Sequence, residues 1–514
     1  MTHLHKKYFF IAISVGIVLS GCKKGYLDVN SDPNRVTDAS VTAELIFPAG
    51  AEEAGSAVAG TRAFQAGAKA DMFFMEAWIG YMASNGDFAL DPTETSYNLD
   101  FNFNDVQWQR RYSYLFDLHQ AEIKALPTGD TILAGAAIVL EAKMWQDQVD
   151  LFGDIPYSQA FNVALTTRPK YDKAADIYAN LLLRLDTAII YLSKSVTTSF
   201  GDGVDIVFHG KPSLQGAANL WIQFANTMKL RLLIRQSDAP GFNPSTEITK
   251  IFGGSSLGIL GAGQSAGVNP GYSNDVAKQS PFYAEYGFTP TGVKAITSSN
   301  ANLYIINILK SGNDPRLGRF FDSLPNGSYV GDKYGDQPGN IPAGINSSYF
   351  GPGIVGSPSQ DQWLIPSYES LFFKAEAIAR GWTPGNLDQA IADAITESFV
   401  WLGVPDAVNA ANAYIAANPN ITKSIHAVSQ SADDLDRFVA YQKYIANTCI
   451  DAQESYEDEQ RLHFLTDNSY ISVNPSKVSN TLPVRVLYPQ SEYTTNAENV
   501  PAGITATSKI FWEP

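Results

Sequence analysis

A mainly α protein is predicted, with tetratricopeptide-like helical hairpins backing an irregular, loop-rich half that holds short strands. Three observations lead there. Apolar residues recur at three- and four-residue steps over several long stretches, a short Gly/Pro connection joins two of these as a pair, and two long segments carry no helical period.

At the amino terminus of the 514-residue chain, His3, His5, Lys6 and Lys7 precede an apolar run from Tyr8 to Leu19. At 12 residues this run is shorter than the roughly 20 that span a bilayer, and it reads as the core of a signal peptide over 1–21. Small residues and a thiol follow in Leu19-Ser20-Gly21-Cys22, the bacterial lipoprotein pattern, so Cys22 is the expected lipid anchor. Each buried methylene of an acyl chain adds about 0.8 kcal/mol, which holds a multiply acylated protein on a membrane while its body stays in water. Lys23 and Lys24 come next, so no Asp retention signal follows the cysteine and transfer to an outer membrane is expected. Residues 22–40, with the turn Asp32-Pro33-Asn34, are expected to form a tether, and 41–514 a single domain.

Within that domain Ile132, Ala136, Val139, Leu140, Met144 and Leu151 mark a helix over 131–151, closed by Gly153 and Pro156. A second helix opens near Asp172 and carries Ile177, Leu181, Leu185, Ala188 and Leu192 on one face. A third holds Trp221, Phe224, Met228, Leu232 and Arg235. Tyr368 to Arg380 and Leu387 to Trp401 form a hairpin across Gly381-Trp382-Thr383-Pro384-Gly385. The segments 241–300 and 322–366 are dense in Gly, Pro, Asn, Ser and Tyr, and loops of that length in a compact domain are where binding is expected.

Composition narrows the function. The chain sets 36 Lys+Arg against 52 Asp+Glu, a net charge of −16, which excludes an electrostatic nucleic-acid binder. Charged residues make up 17%, below the roughly 25% usual in soluble chains, so the surface leans on Asn, Ser, Thr, Gln and Tyr and suits neutral polar ligands. There are 2 cysteines; with Cys22 lipidated, Cys449 has no disulfide partner and is expected to pack as a small hydrophobe.

No catalytic residue, cofactor or metal is expected. Gly263-Gln264-Ser265-Ala266-Gly267 fits the G-x-S-x-G pattern, but a nucleophile elbow needs a helix after the serine, and Asn269-Pro270-Gly271 breaks one. A secreted hydrolase using Ser265 or an acidic pair is the alternative reading, beside a tetratricopeptide-type interaction scaffold without a small ligand. His119, His209, His426 and His463 stand apart, without zinc-site spacing. The acidic group Asp451, Glu454, Glu457, Asp458 and Glu459 reads as a solvated helix face or as partners of Lys443, with a cation site as the alternative.

Aromatics outside the helices carry more information. Phe88, Tyr97, Phe101, Phe103 and Trp108 lie among Asn85, Asn98 and Asn102; Tyr272, Tyr283, Tyr286, Phe288, Tyr334, Tyr349 and Trp363 punctuate the later loops. Sugars present C–H faces that stack on rings and hydroxyls that need amide partners, so rings beside amides make a platform for them. Any one ring more often pins a loop onto the body, so the expectation concerns the cluster. The predicted ligand-binding residues are Asn85, Phe88, Tyr97, Asn98, Tyr283, Tyr286 and Trp363.

Several strings taken together resemble the SusD/RagB family of Bacteroidetes nutrient-binding outer-membrane lipoproteins, in its SusD-like branch. They are Leu19-Ser20-Gly21-Cys22, Tyr26-Leu27-Asp28-Val29-Asn30, Asp150-Leu151-Phe152-Gly153-Asp154-Ile155-Pro156-Tyr157, Lys229-Leu230-Arg231-Leu232, Asn313-Asp314-Pro315-Arg316-Leu317, Lys374-Ala375-Glu376-Ala377, Gln442-Lys443-Tyr444, Leu482-Pro483-Val484-Arg485 and Phe511-Trp512. The order of these landmarks over nearly the whole mature chain is the family's. The resemblance implies a helical domain of four tetratricopeptide-like units and a surface-exposed, non-catalytic lipoprotein. It implies work with a SusC-like TonB-dependent transporter, to which glycan or peptide nutrient is delivered. The basic Lys23-Lys24 departs from the acidic residues often found after the lipid cysteine in surface-exported members.

Overall fold

The computed structural model describes residues 40–59, 73–88, 91–103, 105–194, 200–201, 203–295, 297–337, 339–418 and 432–514. The expected signal peptide, the Cys22 anchor and all of the tether but Ser40 lie outside the described residues. Ala43–Pro514 form one unit. No helix among the described residues is long and apolar enough to cross a membrane.

In chain order the elements are α1 (Ala43–Val58), α2 (Phe73–Trp78), β1 (Met82–Ser84), α3 (Pro92–Ser96), α4 (Asp105–Thr128), α5 (Thr131–Phe152), β2 (Ile155–Pro156), β3 (Tyr171–Asp172), α6 (Ala174–Leu192), α7 (Leu214–Arg235) and α8 (Ser245–Phe252). There follow β4 (Ala266–Val268), α9 (Pro281–Tyr286), β5 (Ser299–Ala301), α10 (Leu303–Ser311), α11 (Leu317–Phe320), β6 (Gln362–Ile365), α12 (Ser367–Ala379), α13 (Leu387–Trp401), α14 (Ala407–Ala417), α15 (Ala432–Ala446), α16 (Ala452–Leu462) and α17 (Gln490–Thr495). The mainly helical class is the one the periodicity predicts.

The hairpins α4–α5, α6–α7 and α12–α13 start and stop where local chemistry directs. The Asp130 carboxylate accepts the Leu133 N–H at 3.1 Å to open α5, and Gly153 ends it with φ 74°. Asn386 caps α13 by accepting from Gln389 N at 3.1 Å. In α6 the five predicted face residues Ile177, Leu181, Leu185, Ala188 and Leu192 are all buried. In α5 every residue from Ile132 to Phe152 is buried, because α1, α4, α6 and α7 surround it. Gly135 allows the closest approach, since a Cβ there would lie 2.7 Å from Leu192 Cγ. Burying a large apolar side chain stabilises by about 1.5–3 kcal/mol, and this central helix collects many such contributions.

One expectation is reversed. The acidic face of α16 is not solvated: every residue from Ala452 to Leu462 is buried. The predicted pairing with Lys443 does form, at 2.6 Å to Glu454 and 2.8 Å to Asp458. Other partners come from elements distant in sequence: the cations Arg231 and Arg235, and the acid Glu376 that pairs with Arg461 of α16 itself. Arg231 on α7 reaches Glu454 and Asp147, both at 2.8 Å. Arg235 reaches Glu454 at 2.6 Å and Glu457 at 2.5 Å, and Arg461 holds Glu376 at 2.6 Å. Burial alone would raise the Glu454 carboxyl, but Arg235, Lys443 and Arg231 hold it well below the usual range. Burial, with the charges of Asp150 and Glu454, pushes Glu457 well above it. The acidic group is thus half of an internal ionic layer. Cys449 is buried beside it, as predicted for a packing thiol.

Three two-stranded antiparallel ladders fasten the connections between helices. They pair Met82↔Ala301 in β1–β5, Ile155↔Asp172 in β2–β3, and Ala266↔Ile365 in β4–β6. The segments 241–300 and 322–366 hold only short elements, in keeping with their turn-rich composition.

Candidate functional site

The loop-rich half contains a cleft of about 420 Å³ whose walls come from the start of α10, from Lys333 and from residues 468–480. The β1–β5 ladder sets its first wall. Asn302, just past β5, donates from its backbone N–H to Tyr81 O at 3.0 Å and from its side chain to Met82 O at 3.2 Å, and its Oδ1 caps α10 by accepting from Tyr304 N at 2.9 Å. Asp332 ties the second wall on, its N–H donating to Ala301 O and its C=O accepting from Leu303 N, both at 2.9 Å. Burial pushes the Asp332 carboxyl up to about 6, although Ser347 Oγ donates to it at 2.7 Å.

The third wall is held from behind by the segment around Tyr97. Asp91 caps α3 by accepting from Thr93 N at 2.8 Å and Glu94 N at 3.2 Å, and the chain leaves the helix through Tyr97 in the left-handed region, φ 60°. This turn aims the Tyr97 hydroxyl at Ser472, whose N–H it accepts at 2.8 Å. Val478 N donates to Ser96 O at 2.9 Å, and Asn474 Nδ2 to Thr95 Oγ1 at 2.8 Å. Glu459, at the end of α16, accepts from Leu465 N at 2.9 Å and from the Tyr470 hydroxyl at 3.3 Å; burial pushes its carboxyl up to about 7. The Tyr470 ring packs on Tyr304 with centroids 5.3 Å apart.

The predicted ligand residues divide into two groups. Asn85 and Tyr97 build the framework behind the cleft and do not face a ligand. Asn85 is fully buried, its amide donating to Asn300 Oδ1 at 2.7 Å and Thr297 O at 2.5 Å, and Tyr97 is 3% exposed. Asn98, next to Tyr97, is exposed. Phe88 is 44% exposed on a loop that Gly86 lets pass against 341–342, where a Cβ would meet Ile341 O at 2.2 Å.

Tyr286 and Trp363 belong to a second aromatic cluster. Trp363 packs tilted against Phe282 and edge-on to Trp401, with centroids at 4.8 and 5.7 Å, and its indole N–H donates to Ile450 O at 2.8 Å. Tyr286 packs on Phe350 at 5.2 Å. Both rings are buried because they pin α9 and the following loops onto the helices, so the expectation that they face a ligand is corrected. Tyr283, on the same short helix, stays half-buried beside Phe288.

The cleft's own lining, including Asn307, Lys333, Asn468 and Asn480, escaped the sequence reading. Asn468 and Asn480 do sit in polar, turn-rich sequence, but Asn307 lies within the apolar run of α10, and the segments at 302–307, 333 and 468–480 meet only through long-range pairing.

Two other readings meet physical obstacles. Ser265 edges a broader cleft of about 910 Å³, yet its Oγ accepts from Ser367 N at 3.0 Å and strand β4 follows it, so the elbow geometry is reversed. His119, Glu122 and Glu141 bring ligand atoms within 4.8 Å of one another, but Arg184 fills the position a cation would take. Its guanidinium forks onto Glu122 at 2.9 and 2.7 Å and reaches Glu141 at 3.0 Å. Burial and the Glu122 charge push Glu141 up to about 8, while His119 and Arg184 outweigh burial at Glu122 and hold it near 2.

Comparison with known proteins fits this architecture. No curated protein is similar enough to match. Among solved structures, a chitin-binding SusD homologue from Flavobacterium johnsoniae is 20% identical, with 91% of this chain and 98% of that one covered at a TM-score of 0.72. A SusD homologue from Bacteroides fragilis is 18% identical over 92% and 99%, TM-score 0.70, and a SusD/RagB protein from Bacteroides thetaiotaomicron is 20% identical over 92% and 99%, TM-score 0.71. At such identities the likeness is one of fold. The family SusD-like_2, described as starch-binding and associating with the outer membrane, matches residues 56–489. A match over that share of the sequence makes this chain a member of the SusD-like family.

Proposed function

We propose that the protein is an outer-membrane lipoprotein, anchored through Cys22, that binds a glycan in its loop-rich half and hands it to a SusC-like TonB-dependent transporter without chemical change. The observation that carries this reading is the cleft of about 420 Å³, lined by Asn, Ser, Tyr and Lys side chains. Amides and hydroxyls match sugar hydroxyls, and Ile471 and Val473 give an apolar patch for a sugar's C–H face. Family membership and the chitin-binding relative support a glycan over a peptide. Exposed Asn98 and Phe88 and half-buried Tyr283 remain proposed ligand contacts outside this lining.

The test is calorimetry of the mature protein against a panel of neutral and acidic oligosaccharides, with Asn307→Ala as the site variant. Binding of at least one glycan, weakened in the variant, is expected; no binding across the panel overturns the reading. Cys22→Ala is expected to move the protein from the membrane fraction to the soluble fraction, and retention on the membrane refutes the anchor.

A further inference from the structure

The cleft has a charge pattern at odds with the chain that builds it. The protein carries a net charge of −16, yet the lining of this cleft holds Lys333 and Lys477 and no carboxylate. We infer that the cleft selects an acidic glycan, one whose uronate carboxylate is received by Lys333 and Lys477 while the neighbouring amides take its hydroxyls. This deepens the glycan-binding reading above and rests on it.

The two ammonium groups are available for such a ligand. Lys333 is exposed and forms no ion pair among the described residues. Its charge acts on Asp336, but that carboxylate already accepts from Gln337 N at 2.7 Å and Asn340 Nδ2 at 3.0 Å. Lys477 is half-buried and donates one hydrogen bond, to Ser472 O at 2.8 Å, which fixes the ammonium on the wall and leaves two of its three donors. Asp467, the next acidic residue beside the lining, turns its carboxylate onto Ser469 N at 3.0 Å. Elsewhere in this protein lysines near carboxylates are paired at short range, as Lys143 with Asp147 at 3.0 Å and Lys229 with Asp186 at 2.5 Å.

The remaining lining favours a sugar over a simple anion. The side-chain amides of Asn307, Asn468 and Asn480 make no hydrogen bond among the described residues and stand exposed. An amide offers two donors and an acceptor, the complement of vicinal hydroxyls. Val473, 46% exposed, supplies apolar surface next to them. A carboxylate on two lysines, hydroxyls on three amides and a C–H face on valine together describe a uronic acid residue.

The experiment is calorimetry of the mature protein with oligogalacturonate, its fully methyl-esterified form, oligomannuronate and a neutral manno-oligosaccharide, each at low and high salt. At least one uronate is expected to bind about tenfold or more tighter than its neutral counterpart, because a hydrogen bond to an ionised group is markedly stronger than one between neutral groups. That preference is expected to shrink at high salt. Lys333→Met is expected to remove about tenfold of uronate affinity and to weaken neutral binding by much less, so that the preference for the acid collapses. Lys477→Arg, which keeps the charge and the wall contact, is expected to retain most of it, and Lys477→Met to lose it.

Equal binding of acid and ester, salt-independent binding, or uronate affinity untouched in the Lys333→Met/Lys477→Met double variant overturns the inference. Neutral oligosaccharides bound without the uronates sink the acidic selectivity and leave glycan binding intact. No oligosaccharide bound at all removes both readings.

Discussion

The ionic layer around α16 and the cleft beyond its end are both built from polar side chains, and they use them in opposite ways. In the layer Arg231, Arg235, Lys443 and Arg461 are buried and face Asp147, Glu376, Glu454, Glu457 and Asp458 at short range. In the cleft, Asn307, Asn468, Asn480 and Lys333 are exposed, and among the described residues the three amides make no side-chain hydrogen bond and Lys333 no ion pair. The contrast teaches that polarity alone does not mark a binding surface. What matters is whether the fold brings each polar group a partner or leaves it one short.

The sharpest way to break the layer is to remove one partner. Arg235→Met takes from buried Glu457 its nearest cation and from Glu454 one of the two cations held at 2.6 Å, and is expected to cost about 3–5 kcal/mol in a denaturant titration. The same loss of charge at exposed Lys333 should cost under about 0.5 kcal/mol, and a comparable cost at both sites contradicts the comparison.

Glu459 stands at the border of the two regions and tests it through pH. Its carboxyl is raised from 4.5 to about 7 in the folded protein by burial. The folded state therefore holds a proton that the unfolded state gives up, and this contribution to stability falls as pH rises from 4.5 to about 7. Glu459→Gln lacks the titration, so the unfolding free energy of the variant relative to the parent should rise by about 2–3 kcal/mol across that window. A constant difference between variant and parent refutes the assignment.

Tyr97→Phe is the smallest of the three. Losing the hydroxyl leaves the buried Ser472 N–H without its acceptor, at about 1 kcal/mol, and should speed amide exchange in 470–478 while α16 stays protected. Unchanged exchange there means that Tyr97 does not hold the wall.

Legibility in the sequence follows the range of the forces involved. The helices α5, α6 and α7 and the α12–α13 hairpin were readable because a 3.6-residue period and capping residues such as Asp130 act within a few positions. The aromatic and Asn segments were readable as special, but not in role. Tyr97 and Trp363 look alike as rings in polar sequence, and only their acceptance from Ser472 N and donation to Ile450 O show them to be supports. The acidic run of α16 misled because its charge is visible in the sequence while Arg231, Arg235 and Glu376, which bury it, lie far away.

The sequence by itself determined the helical class, the turn-rich character of 241–300 and 322–366 and the family pattern, since each depends on neighbours along the chain. Only the tertiary structure decided which polar residues are buried in pairs and which line a cleft. Burial and charge pairing depend on side chains that meet across hundreds of positions, and neither spacing nor composition encodes that meeting.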